Sequence, residues 1–224
     1  QQLRIAAGEP LTFTQQDVKL TGHAIEARVY AEDPAHGFLP TGGTVAVVEE
    51  PSGTGVRVDS ALVPGLVVGS DYDPMLAKVI AWGHDRAEAL HRLDHALADT
   101  AVLGVTTNVG FLRRLLTDPD VAAGRLDTGL VERRLDALVD SEVPVAALAA
   151  VAIEPLMADR GTDAWSQLVA WRHGRPVATR RELEVAGRDR TVVTVCPIGQ
   201  HDGSGPWHVV LADGADPAVT LDAL

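Results

Sequence analysis

The sequence predicts an α+β fold, in which an antiparallel sheet with helices on one face is followed by a helix and an antiparallel β-barrel-like domain. Three observations support this prediction. Apolar and polar residues alternate early in the chain, leucines recur at helical spacing after Trp82, and short β-type segments separated by glycines follow Trp165. Because the first strands precede the helices rather than alternating with them, we expect these helices to lie together on one side of the sheet.

The first part of the chain is predicted to form most of that sheet. Leu3 to Ala7 is expected to end a helix at Gly8, and a strand is predicted within Val18–Ala31. Glu26 and Arg28 lie on the same face of this strand, so the two side chains can pair. Further strands are predicted at Thr44–Glu49, Val56–Ser60 and Met75–Trp82, separated by glycine-containing turns.

Three helices are predicted next. Leu90, Leu93 and Leu97 give an amphipathic helix over about Arg86–Asp99. Thr107 or Asn108 is expected to cap a second helix, which ends before Pro119, and a third helix is predicted at Thr128–Leu138.

The composition changes near Asp140, which predicts two domains, residues 1–138 and 139–224. In the second domain we expect an Ala-rich helix at Val145–Met157, with Pro155 perturbing its end. Strands are predicted afterwards at Pro176–Thr179, Arg181–Ala186, Thr191–Cys196 and Trp207–Leu211. The chain ends at Leu224 without a clear closing element, so we allow for an incomplete second domain.

Composition excludes several classes of protein. Hydrophobic residues make up 46% and charged residues 22% of the 224 residues, as in a folded globular protein. A net charge of −12 argues against nucleic-acid binding, and no apolar run reaches the ~20 residues of a membrane span. Cys196 is the single cysteine, which favours a reducing, cytoplasmic location and a buried structural thiol. There is no initiating Met, which suggests a piece of a longer chain.

Metal and phosphate motifs are weak. His91 and His95 have the i, i+4 spacing of some zinc sites, but the Glu of the H-E-x-x-H pattern is absent and no third ligand is evident. We therefore interpret the pair as part of a solvated helix face and predict no metal site. The glycine-rich turns lack the Lys-Ser/Thr pair of a phosphate-binding loop.

Five ordered motifs are more specific. They are Gly22-His-Ala-Ile-Glu-Ala-Arg-Val-Tyr-Ala-Glu-Asp-Pro34 with Gly37 to Gly42, Val56-Arg57-Val-Asp-Ser60, Tyr72-Asp73-Pro-Met75 with Lys78, Gly104-Val-Thr-Thr-Asn108, and Asp127-Thr128-Gly129 with Glu132-Arg133. In this order and spacing, the segment from Gln1 to about Leu138 resembles the biotin carboxylase carboxyl-terminal domain.

The resemblance implies a ligase that uses ATP, Mg²⁺ and bicarbonate to carboxylate biotin held on a carrier domain. It makes Arg57 the catalytic cation, near bicarbonate and the ureido oxygen of biotin, where an oxyanion-stabilising group is needed. Taken by itself, Arg57 would favour the interpretation of a surface strand residue paired with Asp59 or a neighbour, and the surrounding match reverses this preference. Thr128 falls where the family contacts adenine, although some members have an aliphatic residue there. The metal and phosphate ligands are expected upstream, so we expect this polypeptide alone to be inactive.

The region Val143–Leu224 resembles, less specifically, the linker domain of acyl-CoA carboxylase α subunits. Trp165 to Trp171 followed by Gly174 fits that pattern, and an unrelated β core is the alternative. The implied partners are a carboxyltransferase β subunit and the biotin carboxyl carrier domain, within an oligomer active in fatty acid metabolism. The acyl-CoA, whether acetyl-, propionyl- or methylcrotonyl-CoA, stays open. The alternatives are a non-catalytic scaffold and a small-molecule-binding domain that reuse the same lobe.

Overall fold

The structure is a computed structural model that describes residues 1–69, 73–139, 143–158, 177–184, 190–198 and 206–211, and the backbone of 219–221. The chain divides into two compact units, Gln1–Ser141 and Glu142–Leu224. The two predicted domains, 1–138 and 139–224, stay a prediction, because compactness alone does not assign a function to either unit.

The first unit contains nine described strands and five described α-helices. The strands are β1 (His23–Tyr30), β2 (Glu32–Asp33), β3 (Leu39–Pro40), β4 (Gly43–Thr44), β5 (Val47–Glu49), β6 (Val56–Ser60), β7 (Val67–Val68), β8 (Met75–Gly83) and β9 (Ala101–Leu103). The helices are α1 (Gln2–Ala6), α2 (Arg86–Ala98), α3 (Val109–Thr117), α4 (Pro119–Ala122) and α5 (Leu130–Leu138), with 3₁₀ turns at Gln15–Asp17 and Pro34–His36.

The main sheet of this unit has the strand order β1-β8-β6 and is antiparallel throughout. Its inner face is apolar and packs against α2, where Leu93 is fully buried. The inner face and its helical cover are formed by Ala27, Val29, Ala77, Val79 and Ala81 with Leu93, Ala96 and Leu97. The predicted combination of an antiparallel sheet with helices on one face is therefore confirmed for this unit.

Helix α2 begins where the sequence predicted. Asp85 is its N-cap, and its carboxylate accepts a hydrogen bond of 2.9 Å from the backbone N–H of Glu88. Its leucines recur every three or four residues, so one stripe of the helix is buried while the opposite side faces water.

The first strand, β1, lies within the predicted Val18–Ala31 segment. The second strand prediction was wrong in extent. The predicted strand Thr44–Glu49 is divided into β4 and β5, which pair with β7 and β9 respectively. The division arises because Val45 donates its N–H to Leu66 whereas Ala46 donates to Leu103, so the chain changes partner between these two residues.

The second unit contains α6 (Val145–Ala158) and the antiparallel sheet β10 (Thr179–Leu183), β11 (Thr191–Pro197), β12 (Trp207–Leu211) and β13 (Val219–Leu221), in that order. Buried residues of α6, including Ala149 and Ala152, pack against Val193, Val195 and Trp207. Pro155 lies inside α6, close to its last residue, Ala158.

The β-barrel-like part of the fold prediction is not confirmed, because the described strands form an open sheet. The two strands predicted at Pro176–Thr179 and Arg181–Ala186 are one described strand, β10, which pairs without interruption along Thr191–Val195 of β11. The predicted Trp165 to Gly174 segment lies outside the described residues. Cys196, predicted to be buried, is half-buried on β11. Within the described ranges, no helix combines the length and apolarity needed to cross a membrane.

Candidate functional site

The face of the main sheet that points away from α2 bears a group of charged side chains. The strand register places Lys78 directly opposite both Arg28 and Asp59, and Ile80 directly opposite both Glu26 and Arg57. Directly paired residues of antiparallel strands point to the same side. We call this set the outer face, consisting of Glu26, Arg28, Arg57, Asp59, Lys78 and Ile80.

Arg57 is the most exposed of the paired residues on the outer face, with 73% of its side chain accessible. Its Nε donates to Asp59 Oδ1 at 2.8 Å and its Nη2 donates to Asp59 Oδ2 at 2.9 Å, a bidentate pair. The pair raises the pKa of the Arg57 guanidinium and lowers the pKa of the Asp59 carboxyl. A guanidinium has five N–H donors. The two hydrogen bonds to Asp59 fix the plane of the Arg57 guanidinium and leave its other three donors for other partners.

The outer face has a local excess of positive charge in a chain of net charge −12. Arg28 donates to Glu26 at 3.0 Å, as predicted, so this pair is neutral. Asp59 faces two cations, Arg57 and Lys78, and Lys78 also lowers the pKa of Asp59. One positive charge is therefore left over, which favours an anion at this surface.

A cleft of about 710 Å³ runs along the free edge of β1. We call it the β1 cleft. Its floor is largely apolar and includes Leu90, Leu112, Leu116 and Leu130, and its rim includes Glu26, Arg28, Glu32, Arg86 and Asp127. Arg86 has a structural role there, since it donates to the carbonyl of Val121 at 2.6 Å and so ties α4 to α2.

Asn108 covers part of the free edge of β1. It stands at the N-cap position of α3, as one of the two predicted caps, but its side chain makes no capping hydrogen bond. Instead, Asn108 Oδ1 accepts from the Tyr30 N–H at 2.9 Å, and Asn108 Nδ2 donates to the Arg28 carbonyl at 3.2 Å. A side-chain amide offers both a donor and an acceptor, so it can bind an N–H and a carbonyl of an unpaired strand edge at the same time. The capping prediction for this side chain was therefore wrong, and the residue holds the strand that bears Arg28.

Glu32 lies on the rim of the cleft, just beyond β1. Partial burial raises the pKa of its carboxyl, and the neighbouring negative charge of Asp73 adds to the increase. Sequence reasoning missed both Glu32 and the role of Asn108. The only available signal was their position in the Ala-Glu-Asp-Pro and Thr-Thr-Asn motifs.

The two predicted site residues are not neighbours. Thr128 is exposed in the turn before α5, next to Asp127, which lines the β1 cleft. Arg57 lies on β6, at the opposite edge of the sheet from β1, roughly 10 Å away by strand spacing. Glu26 and Arg28 belong to both the outer face and the rim of the cleft, so they lie between the two surfaces.

Asp127 fixes the turn that presents Thr128. Its carboxylate accepts from the Gly129 N–H at 2.8 Å and pairs with Arg133 at 2.7 Å. These contacts lower the pKa of Asp127, with Arg133 the larger cause. The turn is thus held from both sides of Thr128.

Residues 26–133, which include the outer face, most of β1 and most of the β1 cleft, match the family described as Biotin carboxylase C-terminal domain. Over these residues the chain is similar to a biotin carboxylase C-terminal domain. The predicted resemblance is confirmed for this segment, and the linker-type domain predicted after it stays a prediction.

Curated relatives match the same part of the chain. The chain is 42% identical over 132 residues to the biotin carboxylase of Nostoc sp., covering 59% of this chain and 30% of that protein. It is 41% identical over 150 residues to the mitochondrial methylcrotonoyl-CoA carboxylase subunit alpha of Arabidopsis thaliana, covering 65% of this chain and 20% of that protein. The chain therefore spans less than a third of either relative.

Solved structures agree in fold. The biotin carboxylase domain dimer of Hydrogenobacter thermophilus 2-oxoglutarate carboxylase, in complex with MgADP, ADP and bicarbonate, matches with a TM-score of 0.61 and 35% identity, over 63% of this chain and 31% of that chain. Rhizobium etli pyruvate carboxylase with acetyl coenzyme-A matches with a TM-score of 0.63 and 26% identity, over 84% of this chain and 19% of that chain.

Proposed function

We propose that this chain is the C-terminal part of the biotin carboxylase component of a biotin-dependent acyl-CoA carboxylase, and that Arg57 is its catalytic residue. The observation that supports this role is the exposed guanidinium of Arg57, held in a bidentate pair while keeping donors available. The excess positive charge of the outer face favours the anionic groups that such a site must hold.

The contribution of each residue follows from this geometry. Arg57 stays charged at all relevant pH values, so it can attract bicarbonate and stabilise negative charge on the ureido oxygen of biotin. Biotin, when bound on its carrier domain, supplies the ureido nitrogen that receives the carboxyl group. Asp59 is a positioning residue, because its two hydrogen bonds restrain the rotation of the Arg57 guanidinium. Lys78 offsets the negative charge of Asp59, so that the pair does not repel an anion.

ATP and Mg²⁺ are the cofactors that this proposed function requires. The described part of the chain has no group of three or more His, Cys, Asp or Glu side chains that could hold a metal ion. Because the resemblance places the magnesium and phosphate ligands upstream of this segment, we propose that other regions of the complete protein supply them. In this chain, Thr128 would contact adenine, since its turn is exposed and fixed by Asp127.

The role of Arg57 is tested in the complete carboxylase with Arg57→Ala. Loss of the cation should reduce the ATP- and bicarbonate-dependent carboxylation of biotin by about 100-fold or more, equivalent to about 3 kcal/mol of transition-state stabilisation. ATP affinity should change little, because Arg57 and Thr128 lie on separate surfaces. Arg57→Lys should recover only part of the rate, because an ammonium lacks the planar fork.

Arg125→Ala is a matched control. Arg125 is similarly exposed, at 66%, and is paired with a single aspartate, Asp120, at 2.7 Å. It lies outside the outer face, so its loss should leave turnover unchanged. Full activity of the Arg57→Ala enzyme would reject the catalytic assignment and favour the scaffold alternative. Tight binding of free biotin to this chain alone would instead favour the small-molecule-binding alternative.

For the second unit we propose a docking role toward the carboxyltransferase β subunit. The match to Rhizobium etli pyruvate carboxylase covers more of the chain than the first unit could supply, which supports a carboxylase origin for part of the second unit. Size-exclusion chromatography of the chain mixed with purified β subunit should give a co-eluting complex. Separate elution at micromolar concentrations would refute this role. The same experiment reports the oligomeric state, which we propose to be above monomer.

A further inference from the structure

The outer side of α2 brings two imidazoles together. His91 and His95 are both exposed, their Nε2 atoms are 3.2 Å apart and their ring centroids are 4.4 Å apart. The ring tips therefore converge rather than pointing along the helix in different directions. The i, i+4 spacing places the rings on one side of the helix, and the structure adds the convergence that the sequence could not show.

This separation fits a chelated metal ion. A zinc–imidazole bond is about 2.0–2.1 Å long, so two cis nitrogens on one ion are roughly 2.9–3.4 Å apart for bond angles between 90° and the tetrahedral value. The observed 3.2 Å falls within that range. Without a metal, one Nε2–H donates to the other Nε2. With a metal, both rings present an Nε2 lone pair and keep their remaining proton on Nδ1.

The backbone beneath the pair is held rigidly. Leu90, Leu93 and Leu97 are on the buried side of α2, and they fix the helix against the rest of the first unit. Little conformational freedom has to be lost when a metal binds, because the helix and its orientation are already set.

The carboxylate nearest in sequence is engaged elsewhere. Asp94, between the two histidines, pairs with Arg113 at 2.9 Å. Among the described residues no third ligand completes a cluster, so water would fill the other positions. The net charge of −12 also favours cations near the chain.

We propose that His91 and His95 form a surface site for a divalent transition-metal cation of the zinc class, separate from the biotin carboxylase reaction. Imidazole suits Zn²⁺, Cu²⁺ and Ni²⁺, whereas Mg²⁺ prefers oxygen ligands and keeps its water. The site therefore discriminates against the Mg²⁺ that accompanies ATP.

The test is isothermal titration of the 224-residue chain, prepared without a polyhistidine tag, with ZnCl₂. We expect one bound zinc ion per chain and a higher unfolding temperature in zinc, because binding to the folded state stabilises it. His91→Gln and His95→Gln should each weaken binding at least ~10-fold, since each removes one of two ligands. MgCl₂ at the same concentrations should give no binding.

His84→Gln is the matched control. His84 is also exposed in the first unit, but its ring pairs with the carboxylate of Glu88 at 2.8 Å rather than with a second imidazole. Its replacement should leave zinc affinity within ~2-fold of the original. Circular dichroism of each variant checks that α2 remains folded. Zinc binding that is absent, that survives both His91→Gln and His95→Gln, or that is lost equally in His84→Gln would overturn the proposal.

Discussion

Replacing Asn108 with aspartate should destabilise the first unit nearly as much as replacing it with alanine. Asparagine and aspartate are about equally good helix N-caps, so a capping role predicts little loss for Asn108→Asp. The observed role is different, because Asn108 both accepts from Tyr30 N–H and donates to the Arg28 carbonyl. Aspartate keeps the acceptor, loses the donor and turns a carboxylate oxygen toward the Arg28 carbonyl oxygen.

The magnitude follows from the contacts. Asn108 is 5% exposed, so its backbone partners cannot simply exchange it for bulk water. Two hydrogen bonds contribute about 1 kcal/mol each, and partly buried groups left unsatisfied add about as much again. We expect a loss of about 2–4 kcal/mol for Asn108→Ala and of about 2 kcal/mol or more for Asn108→Asp. Thr107→Ala, at the alternative cap, should cost less than ~1 kcal/mol.

Hydrogen–deuterium exchange of peptides that cover β1 measures this effect within the first unit. A loss of 2–4 kcal/mol corresponds to exchange that is about 30- to 1000-fold faster for amides that exchange through cooperative opening. The Tyr30 amide should show the increase in both Asn108 variants. If β1 were as well protected in Asn108→Asp as in the original chain, the two hydrogen bonds of Asn108 to β1 would not be its stabilising role, and a helix-capping role would be favoured.

Three further predictions concern packing, backbone conformation and pH. Leu93→Ala, at a fully buried site on α2, should lower the free energy of unfolding by about 2–5 kcal/mol in urea titrations, and a loss below 1 kcal/mol would contradict the observed core. Gly104 has φ of +104°, and a Cβ there would collide with the Thr44 carbonyl oxygen. Gly8 also has a positive φ, +87°, but a Cβ there would meet open space, so Gly8→Ala should lower the free energy of unfolding by only ~1 kcal/mol. Gly104→Ala should lower it clearly more. Equal losses for the two variants would exclude the collision. The raised pKa of Glu32 means that the folded chain binds its proton more tightly than the unfolded chain, so this group's contribution to stability is present at low pH and is lost as the pH rises through the raised pKa. Glu32→Gln should thus stabilise the chain by under ~1 kcal/mol at pH 7 and not at pH 4, and an equal effect at both values would contradict the shift.

Several elements follow directly from the order of residues along the chain. β6 and α2 were predicted to within a residue, and the Glu26–Arg28 pair was predicted from alternation alone. The Arg57–Asp59 pair was also foreseen, as the ordinary alternative to catalysis. In each case the interacting residues are within a few positions of one another, so the period of a strand or helix decides which side chains meet.

The order of residues was therefore enough to predict the periodic elements, the faces they bury and five motifs that resemble those of a biotin carboxylase C-terminal domain. Two features became visible only in the folded chain: Asn108 binds a strand edge 78 residues away, and the backbone changes partner between Val45 and Ala46. The folded chain also shows that the imidazole tips of His91 and His95 converge. Local periodicity specifies the direction of a side chain relative to its own backbone. Its partners depend on how distant segments pack, on rotamers and on which backbone groups are left unpaired, and none of these is encoded within a window of a few residues.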